Sequence, residues 1–397
     1  MTPARPAPFG AFSAVWFFYF AAIGMFNPYA PLWFKDLGFS TLAIGAIASM
    51  QAWTRILAPY GWGWLGDHGG RRVWLVRWAC AACVLAAAGL LLARGYTAVA
   101  ACVVVLFLAN GAVVPLSEAA LSRHLSRGGE MDAARYGRVR VWGSIGFIVT
   151  VVVAGGVLDL AGIGWFPWLV TGMFALLLAA ALRLPDTRDD SGGHETAPAV
   201  LSVLRQPVVA WFFAAVFFTV LAHTSLYTFL SLYLDDMGYP KSAVGGLWAV
   251  AVVVEIAFFW FQGRVFGRLD AHGWLLWAAA LSVLRFVLTA AFGGSALVLV
   301  AAQLLHAVTF AAQHAACIVL VNRHFPGPLR GRGQALYTVL GYGVSGVIGG
   351  VGGGWLSTRL GFAAVFWAAV VAAALGWACA LRSARHARAA VAAPAGG

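Results

Sequence analysis

Apolar residues run along this chain in long unbroken blocks. They form neither the alternating runs of half-buried strands nor the one-sided stripes of water-facing helices. A helix needs roughly 20 apolar residues to cross the hydrocarbon of a bilayer. By that measure the pattern predicts twelve spans, near residues 11–34, 41–66, 73–93, 97–121, 138–158, 164–183, 207–233, 243–266, 273–292, 296–321, 334–357 and 361–381. Between spans six and seven lies a polar stretch rich in Gly and Asp, containing Pro185-Asp186-Thr187-Arg188-Asp189-Asp190-Ser191-Gly192-Gly193. The expected architecture is therefore an all-α membrane protein of twelve transmembrane helices. Six-helix halves over residues 1–184 and 207–383 flank a linker over 185–206, and an Ala-rich basic tail over 384–397 is expected to be disordered.

The halves are related by an internal repeat. Gly38-Phe39-Ser40, Gly45 and Arg55 answer, 200 positions on, to Gly238-Tyr239-Pro240, Gly245 and Glu255, and Asp36 answers to Asp236. Duplicated helices that carry unlike charges at equivalent mid-span positions are a pattern expected of a transporter. Span eleven holds an unusual density of glycine from Gly341 to Gly354. In a membrane such density lets helix backbones approach closely, so packing is its first explanation and bending during transport its second.

Composition agrees with a lipid solvent: of 397 residues, 62% are hydrophobic and 10% charged. The net charge of +12 is a topology signal. With the N-terminus inside, the inner loops and tail hold 20 of the 26 Lys and Arg residues. Only Lys35, Arg94, Lys241 and Arg359 fall in outer loops, and Arg55 and Arg285 lie inside spans. That asymmetry predicts both termini in the cytoplasm and an even number of spans. Nucleic-acid binding, the other reading of a basic chain, calls for charge gathered on one face; here it is scattered over short loops. The first apolar block is too long for a signal-peptide core. Cys80, Cys83, Cys102, Cys317 and Cys379 all fall in spans. The Cys80-Ala-Ala-Cys83 spacing lacks the βαβ setting of a redox motif and reads as packing. No metal cluster, nucleophile motif or phosphate loop is present, so neither an enzyme nor a cofactor is expected.

The ionisable residues inside spans are the candidate working parts: Arg55, Glu118, His223, Glu255, Arg285, His306 and His314. A charge at the bilayer centre costs roughly 2.5–3.5 kcal/mol on the lenient insertion scale, so these groups imply ion pairing or a wet cavity. Helical spacing puts Gln51 with Arg55 on one face of span two, and Glu255 with Phe259 and Gln262 on one face of span eight. On span ten it aligns His306, Thr309, Phe310 and Gln313. Stripes that mix aromatic and polar groups suit an amphipathic solute. The candidate substrate-binding residues among them are Arg55, Glu118, Arg285 and His306, with Asn27 of span one. Burial favours the neutral form of a carboxylic acid, which lets such a residue carry a proton.

After span two comes Gly63-Trp64-Leu65-Gly66-Asp67-His68-Gly69-Gly70-Arg71-Arg72. This resembles the loop signature of the major facilitator superfamily, with His68 where a basic residue is usual. The resemblance implies that Gly63, Asp67, Gly70, Arg71 and Arg72 form a cytoplasmic gate. A degraded copy, Gly263-Arg264 to Leu269-Asp270, follows span eight. Further strings resemble one branch of the superfamily, the bacterial phenylpropionate permeases, which are related to the oligosaccharide–proton symporters. They are Pro115-Leu116-Ser117-Glu118 on span four, Tyr136-Gly137-Arg138-Val139-Arg140 at the start of span five and Leu247-Trp248 through Glu255 on span eight. Leu305-His306-Ala307-Val308-Thr309-Phe310 with His314 on span ten and Gln334-Ala335-Leu336-Tyr337 on span eleven complete the set.

In the sugar-carrying relatives the residues matching Glu118 and Arg140 bind the sugar, and the one matching Glu255 couples binding to protonation. Their proton-carrying glutamate three residues after the span-ten histidine is replaced here by Thr309, which leaves Glu255, Glu118 and His306 as carriers. Together these features imply an inner (plasma) membrane, proton-coupled symporter for a small organic acid. Aromatic carboxylates such as 3-phenylpropionate are favoured, and the protein is expected to work as a monomer. A sugar or nucleoside symporter and a drug efflux transporter share the same features.

Overall fold

The computed structural model describes residues 9–69, 71–127, 130–186 and 201–392. Eleven of its helices are long and apolar enough to cross a membrane. The helix at the remaining predicted span, Thr41–Gly69, has the length, with 29 residues, but is not among the eleven. Gln51 and Arg55 in its middle are what dilute its apolar character.

Span one is Phe9–Asp36, span three Arg72–Leu92, span five Ala133–Ala161 and span six Phe166–Leu182. Span seven is Pro207–Asp236, span eight Lys241–Val265 and span nine Ala271–Ala291. Three spans are interrupted. Span four breaks at residues 111–112, between Tyr96–Asn110 and Val113–Leu125. Span ten carries a π-helical segment over Ala307–Ala312 and span eleven another over Tyr337–Val344. Among the described residues the only β-structure is a two-residue antiparallel pairing of Ser126–Arg127 with Glu130–Met131, a staple in the loop before span five. The last helix, Phe362–Ala392, runs past Ser383, where the sequence predicts a disordered tail. Its alanines are the strongest helix formers and extend the span outward. Residues 393–397 of that tail, and 187–200 of the linker, lie outside the described residues.

The repeat is visible in local geometry. Gly38 and Gly238 both adopt positive φ, 82° and 79°, a conformation that only glycine takes readily. Around each, the chain leaves the preceding helix by the same hydrogen bonds. The amide of Phe39 donates to the Phe34 carbonyl, and that of Tyr239 to the Leu234 carbonyl. The helix terminator itself has been duplicated.

The chain forms two compact units, one of residues 1–39, 54–193 and 240–246, the other of residues 40–53, 194–239 and 247–397. The beginnings of spans two and eight are thus exchanged. In the first unit the start of span eight lies on span five. Gly245 meets the Val151 carbonyl, where a side chain would have no room. The Tyr29 hydroxyl donates to that same carbonyl at 2.5 Å. Asp159 accepts from the amides of Lys241 at 2.7 Å and Ser242 at 2.9 Å, capping the first turn of span eight. In the second unit the start of span two lies on span eleven. Gly45 meets the Gly350 carbonyl. The Ser49 hydroxyl reaches the Val347 carbonyl at 2.9 Å, and the Thr41 and Thr358 hydroxyls bond at 2.8 Å. Gly353 and Gly349 of span eleven face Phe229 and Thr224 of span seven. Close packing on two sides therefore accounts for much of the glycine density.

The residues of the loop signature are mostly helical. Gly63 and Asp67 lie on the final turns of Thr41–Gly69, Arg71 is the N-cap of Arg72–Leu92, and Gly70 is outside the described residues.

Candidate functional site

In the second unit the chemistry gathers around Arg285 of span nine, which is 2% exposed. Its Nη1 donates to Thr309 Oγ1 at 3.0 Å and to His306 Nδ1 at 3.0 Å, with His223 Nε2 further off at 3.4 Å. Its Nη2 donates to Gln303 Oε1 at 2.8 Å. A guanidinium has no acceptor, so the ring nitrogens facing it must be unprotonated. His223 Nδ1 points at the Thr219 carbonyl, 2.8 Å away, and so carries the proton. Both assignments follow from the hydrogen-bond pattern and make the two imidazoles neutral.

Arg285 is therefore a buried cation held by four neutral groups. Its Nε is buried and has no hydrogen-bond partner, and no ion pair reaches the guanidinium, among the described residues. Taking a charge out of water costs several kcal/mol unless a counter-charge offsets it. Neutral acceptors offset part of that, and an arriving anion would offset more.

His306 links this cation to a carboxylate. With Nδ1 turned to Arg285, its Nε2 hydrogen faces Glu255 Oε2 at 3.6 Å, and Glu255 remains 28% exposed. Phe310 stacks on the other side of His306, with centroids 4.8 Å apart and planes within 6°. His314 stacks on Phe310 at 6.3 Å and 13°. A regular α-helix rotates residues four apart out of line by part of a turn. The wider-wound π segment at Ala307–Ala312 cancels much of that drift and keeps the three rings in register. From His314 Nδ1 the contacts continue to the Tyr337 hydroxyl at 3.0 Å, and from there to the Tyr342 hydroxyl at 3.3 Å.

These groups border a narrow recess of about 10 Å³, which in this conformation has room for little more than a water molecule. His223, Tyr227, Thr309, Phe310, Gln313 and His314 line it, with Tyr337 and Tyr342 completing the wall. Arg285 lies one side chain behind this wall, reached through His223 and Thr309. Tyr227 adds an aromatic surface, edge-on to Phe310 at 6.5 Å and beside Trp248 at 6.0 Å.

The first unit holds a second cluster. Glu118 accepts a hydrogen bond from the Tyr136 hydroxyl. One turn after Tyr136, the Arg140 guanidinium sits over the rings of Trp16 and Phe20, at 4.7 and 4.8 Å from their centroids. Those two rings are themselves stacked, with planes within 12°. The aromatic faces attract the cation, and Arg packs flat against them. Asn110 donates to Tyr19 at 3.3 Å.

The sequence-predicted residues therefore fall into separate groups. Arg285, His306 and Glu255 are brought into one line of contacts. Glu118 and Arg140 come to the same face of span five but form no ion pair with each other among the described residues. Arg55 is exposed, in the middle of its helix. Asn27 is half-buried on span one. Gln303, Tyr136, Trp16 and Phe20 are missing from the sequence-based set, although helical spacing offered a signal for each. Gln303 precedes His306 by three positions, Tyr136 precedes Arg140 by four, and Trp16 and Phe20 are four apart. Among the described residues no three His, Cys, Asp or Glu side chains are grouped as a metal site requires.

Known proteins resemble this chain over nearly its whole length. It is 29% identical over 364 residues to a probable 3-phenylpropionic acid transporter of Escherichia coli (strain K12), covering 89% of this chain and 92% of that one. It is 28% identical over 368 residues to a maltose permease of Geobacillus stearothermophilus, covering 89% of each. Its fold matches a crystal structure of a variant of the nucleoside transporter NupG with a TM-score of 0.81. That match has 17% identity and spans 95% of this chain and 99% of the other. A POT family transporter solved with a bound peptide conjugate matches with a TM-score of 0.76 at 10% identity, over 96% of both chains. The sequence model of the MFS_1-like family matches residues 10–368. A multi-pass helical fold shared with these transporters and a family match along most of the sequence lead to one conclusion: the chain belongs to the MFS_1-like family of major facilitator membrane transporters.

Proposed function

We propose that the protein is a proton-coupled symporter that takes a small aromatic carboxylate, of the 3-phenylpropionate type, into the cell. It would sit in the bacterial inner membrane with both termini cytoplasmic. The observation that carries this reading is Arg285, a fully buried guanidinium held only by neutral groups beside an aromatic recess. An anion supplies the charge this site lacks, and the faces of Phe310 and Tyr227 suit an aryl ring. The long His223 contact, 3.4 Å, is the weakest of the four and the one a carboxylate would displace.

Charge arithmetic then explains the coupling. The empty site, with Arg285 charged and Glu255 ionised, is neutral. An anion alone makes it negative, and a proton on Glu255 alone makes it positive. Anion and proton together restore neutrality. A net charge in an apolar site costs roughly 2.5–3.5 kcal/mol. Only the empty and the doubly loaded states therefore escape that cost when the site is exposed first to one side and then to the other. His306, with Nε2 toward Glu255 and Nδ1 toward Arg285, is the group through which each charge senses the other.

A second reading, sugar or nucleoside symport, is favoured by the hydroxyl and amide groups of Thr309, Gln313, Tyr337 and Tyr342 along the recess. Uptake of labelled 3-phenylpropionate into vesicles containing the purified protein decides between them, with unlabelled cinnamate, maltose and a nucleoside as competitors. Competition by cinnamate alone supports the carboxylate reading. No uptake of the labelled acid above protein-free vesicles, with uptake of maltose or nucleoside, refutes it.

A further inference from the structure

The recess also holds a polar group with no part in the charge coupling. Gln313 is 6% exposed, lines the recess, and its Oε1 is buried with no hydrogen-bond partner among the described residues. An orphaned amide oxygen in such a place is costly and asks for a donor. It does not stand alone: Tyr337 and Tyr342, joined to each other and to His314, line the same recess. The wall is thus graded. Toward the buried Arg285 it presents the neutral His223 and Thr309, along Phe310 and Tyr227 it is aromatic, and at Gln313, Tyr337 and Tyr342 it is hydrogen-bonding.

Resting on the aromatic-acid reading, we propose that the preferred solute carries a hydroxyl on its ring, and that Gln313 selects for it. An arylpropionate laid along the His306–Phe310–His314 ladder, carboxylate toward Arg285, carries the distal edge of its ring toward Gln313 and the two tyrosines. A phenolic O–H there donates to Gln313 Oε1. If the amide is turned round, the same oxygen accepts from Nε2, because a hydroxyl serves in both senses. A bare ring leaves the amide unpaired. Sites built to bond a hydroxyl reject analogues that lack it far more strongly than apolar pockets reject an added one.

The test is calorimetric binding to the full-length protein in lipid nanodiscs. The ligands are 3-phenylpropionate and its 3-hydroxyphenyl and 4-hydroxyphenyl analogues; the proteins are wild type, Gln313→Leu and the volume-matched Gln313→Met, which guards against misfolding of the first. We expect at least one hydroxylated acid to bind about tenfold or more tightly than the bare acid in wild type. That ratio should collapse toward one in either variant. Equal affinities in wild type, or a preference that survives both variants, would overturn the role of Gln313 while leaving the carboxylate reading intact. Binding of none of the three acids, with a sugar or nucleoside bound instead, would remove the carboxylate reading itself and this inference with it.

Discussion

Replacing Glu255 by Gln fixes one charge of the site in its neutral form. Glu255 is 28% exposed and lies 3.6 Å from His306, and Gln, nearly the same in shape, removes the charge at this position with little change in volume. Transport should change in a selective way. With Gln at this position the site holding an anion is neutral, whereas the empty site carries the uncompensated charge of Arg285. Exchange of external for internal solute uses only the loaded form and should continue. Net uptake also needs the empty form to return, and that step now carries a charge costing roughly 2.5 kcal/mol, which corresponds to a slowing of about 70-fold. Partial hydration of the site reduces this, so a slowing of about tenfold is the smallest effect consistent with the arithmetic. Counterflow and net uptake of labelled 3-phenylpropionate, measured in the same vesicle preparation with protein-free controls, separate the two steps. Equal loss of both, or retention of both, would refute the reasoning.

The same arithmetic predicts that Arg285→Met does not leak protons without solute: the site holding only a proton is then neutral, but the empty site that must return carries the uncompensated charge of Glu255. Binding of 3-phenylpropionate should weaken by roughly 30-fold or more, and Arg285→Lys should fall between; calorimetry and a pH dye report the two effects. Alanine at Gly45 or at Gly245 places a methyl against a main-chain carbonyl that cannot yield, so each should destabilise the protein by about 1–3 kcal/mol, seen as a lower melting temperature in detergent. Asp159→Ala removes the cap from the amides of Lys241 and Ser242 and should cost about 1 kcal/mol in the same assay; Asp159→Asn keeps an acceptor for only one of the two amides and should recover no more than part of it.

Much of this fold is legible in the sequence because lipid imposes simple rules. Apolar block length fixes the spans, and the repeat at 200 positions reappears as matched helix terminators at Gly38 and Gly238. The exchange of the starts of spans two and eight between compact units was not legible, since it depends on which backbones approach each other. At the candidate site the chemistry-bearing residue types could be read, but not their pairing. Nothing in the spacing of Glu118 and Arg140 says that one bonds Tyr136 while the other is held by Trp16 and Phe20. Nor does spacing announce that His306 points one nitrogen at Arg285 and the other at Glu255. The π segment that aligns His306, Phe310 and His314 breaks the 3.6-residue period on which such readings depend. The helix continues to Ala392 because alanine's helix propensity prevails there over the low complexity of the tail.

Coupling of proton to solute is the central claim, and one measurement addresses it directly. Vesicles containing the protein and an internal pH dye receive 3-phenylpropionate in the absence of an imposed gradient, beside protein-free vesicles and vesicles containing Glu255→Gln. The account predicts internal acidification by the wild type faster than by the lipid control, in step with uptake of the labelled acid, and little acceleration by the variant. Accelerated uptake of the acid with no accompanying acidification would contradict it.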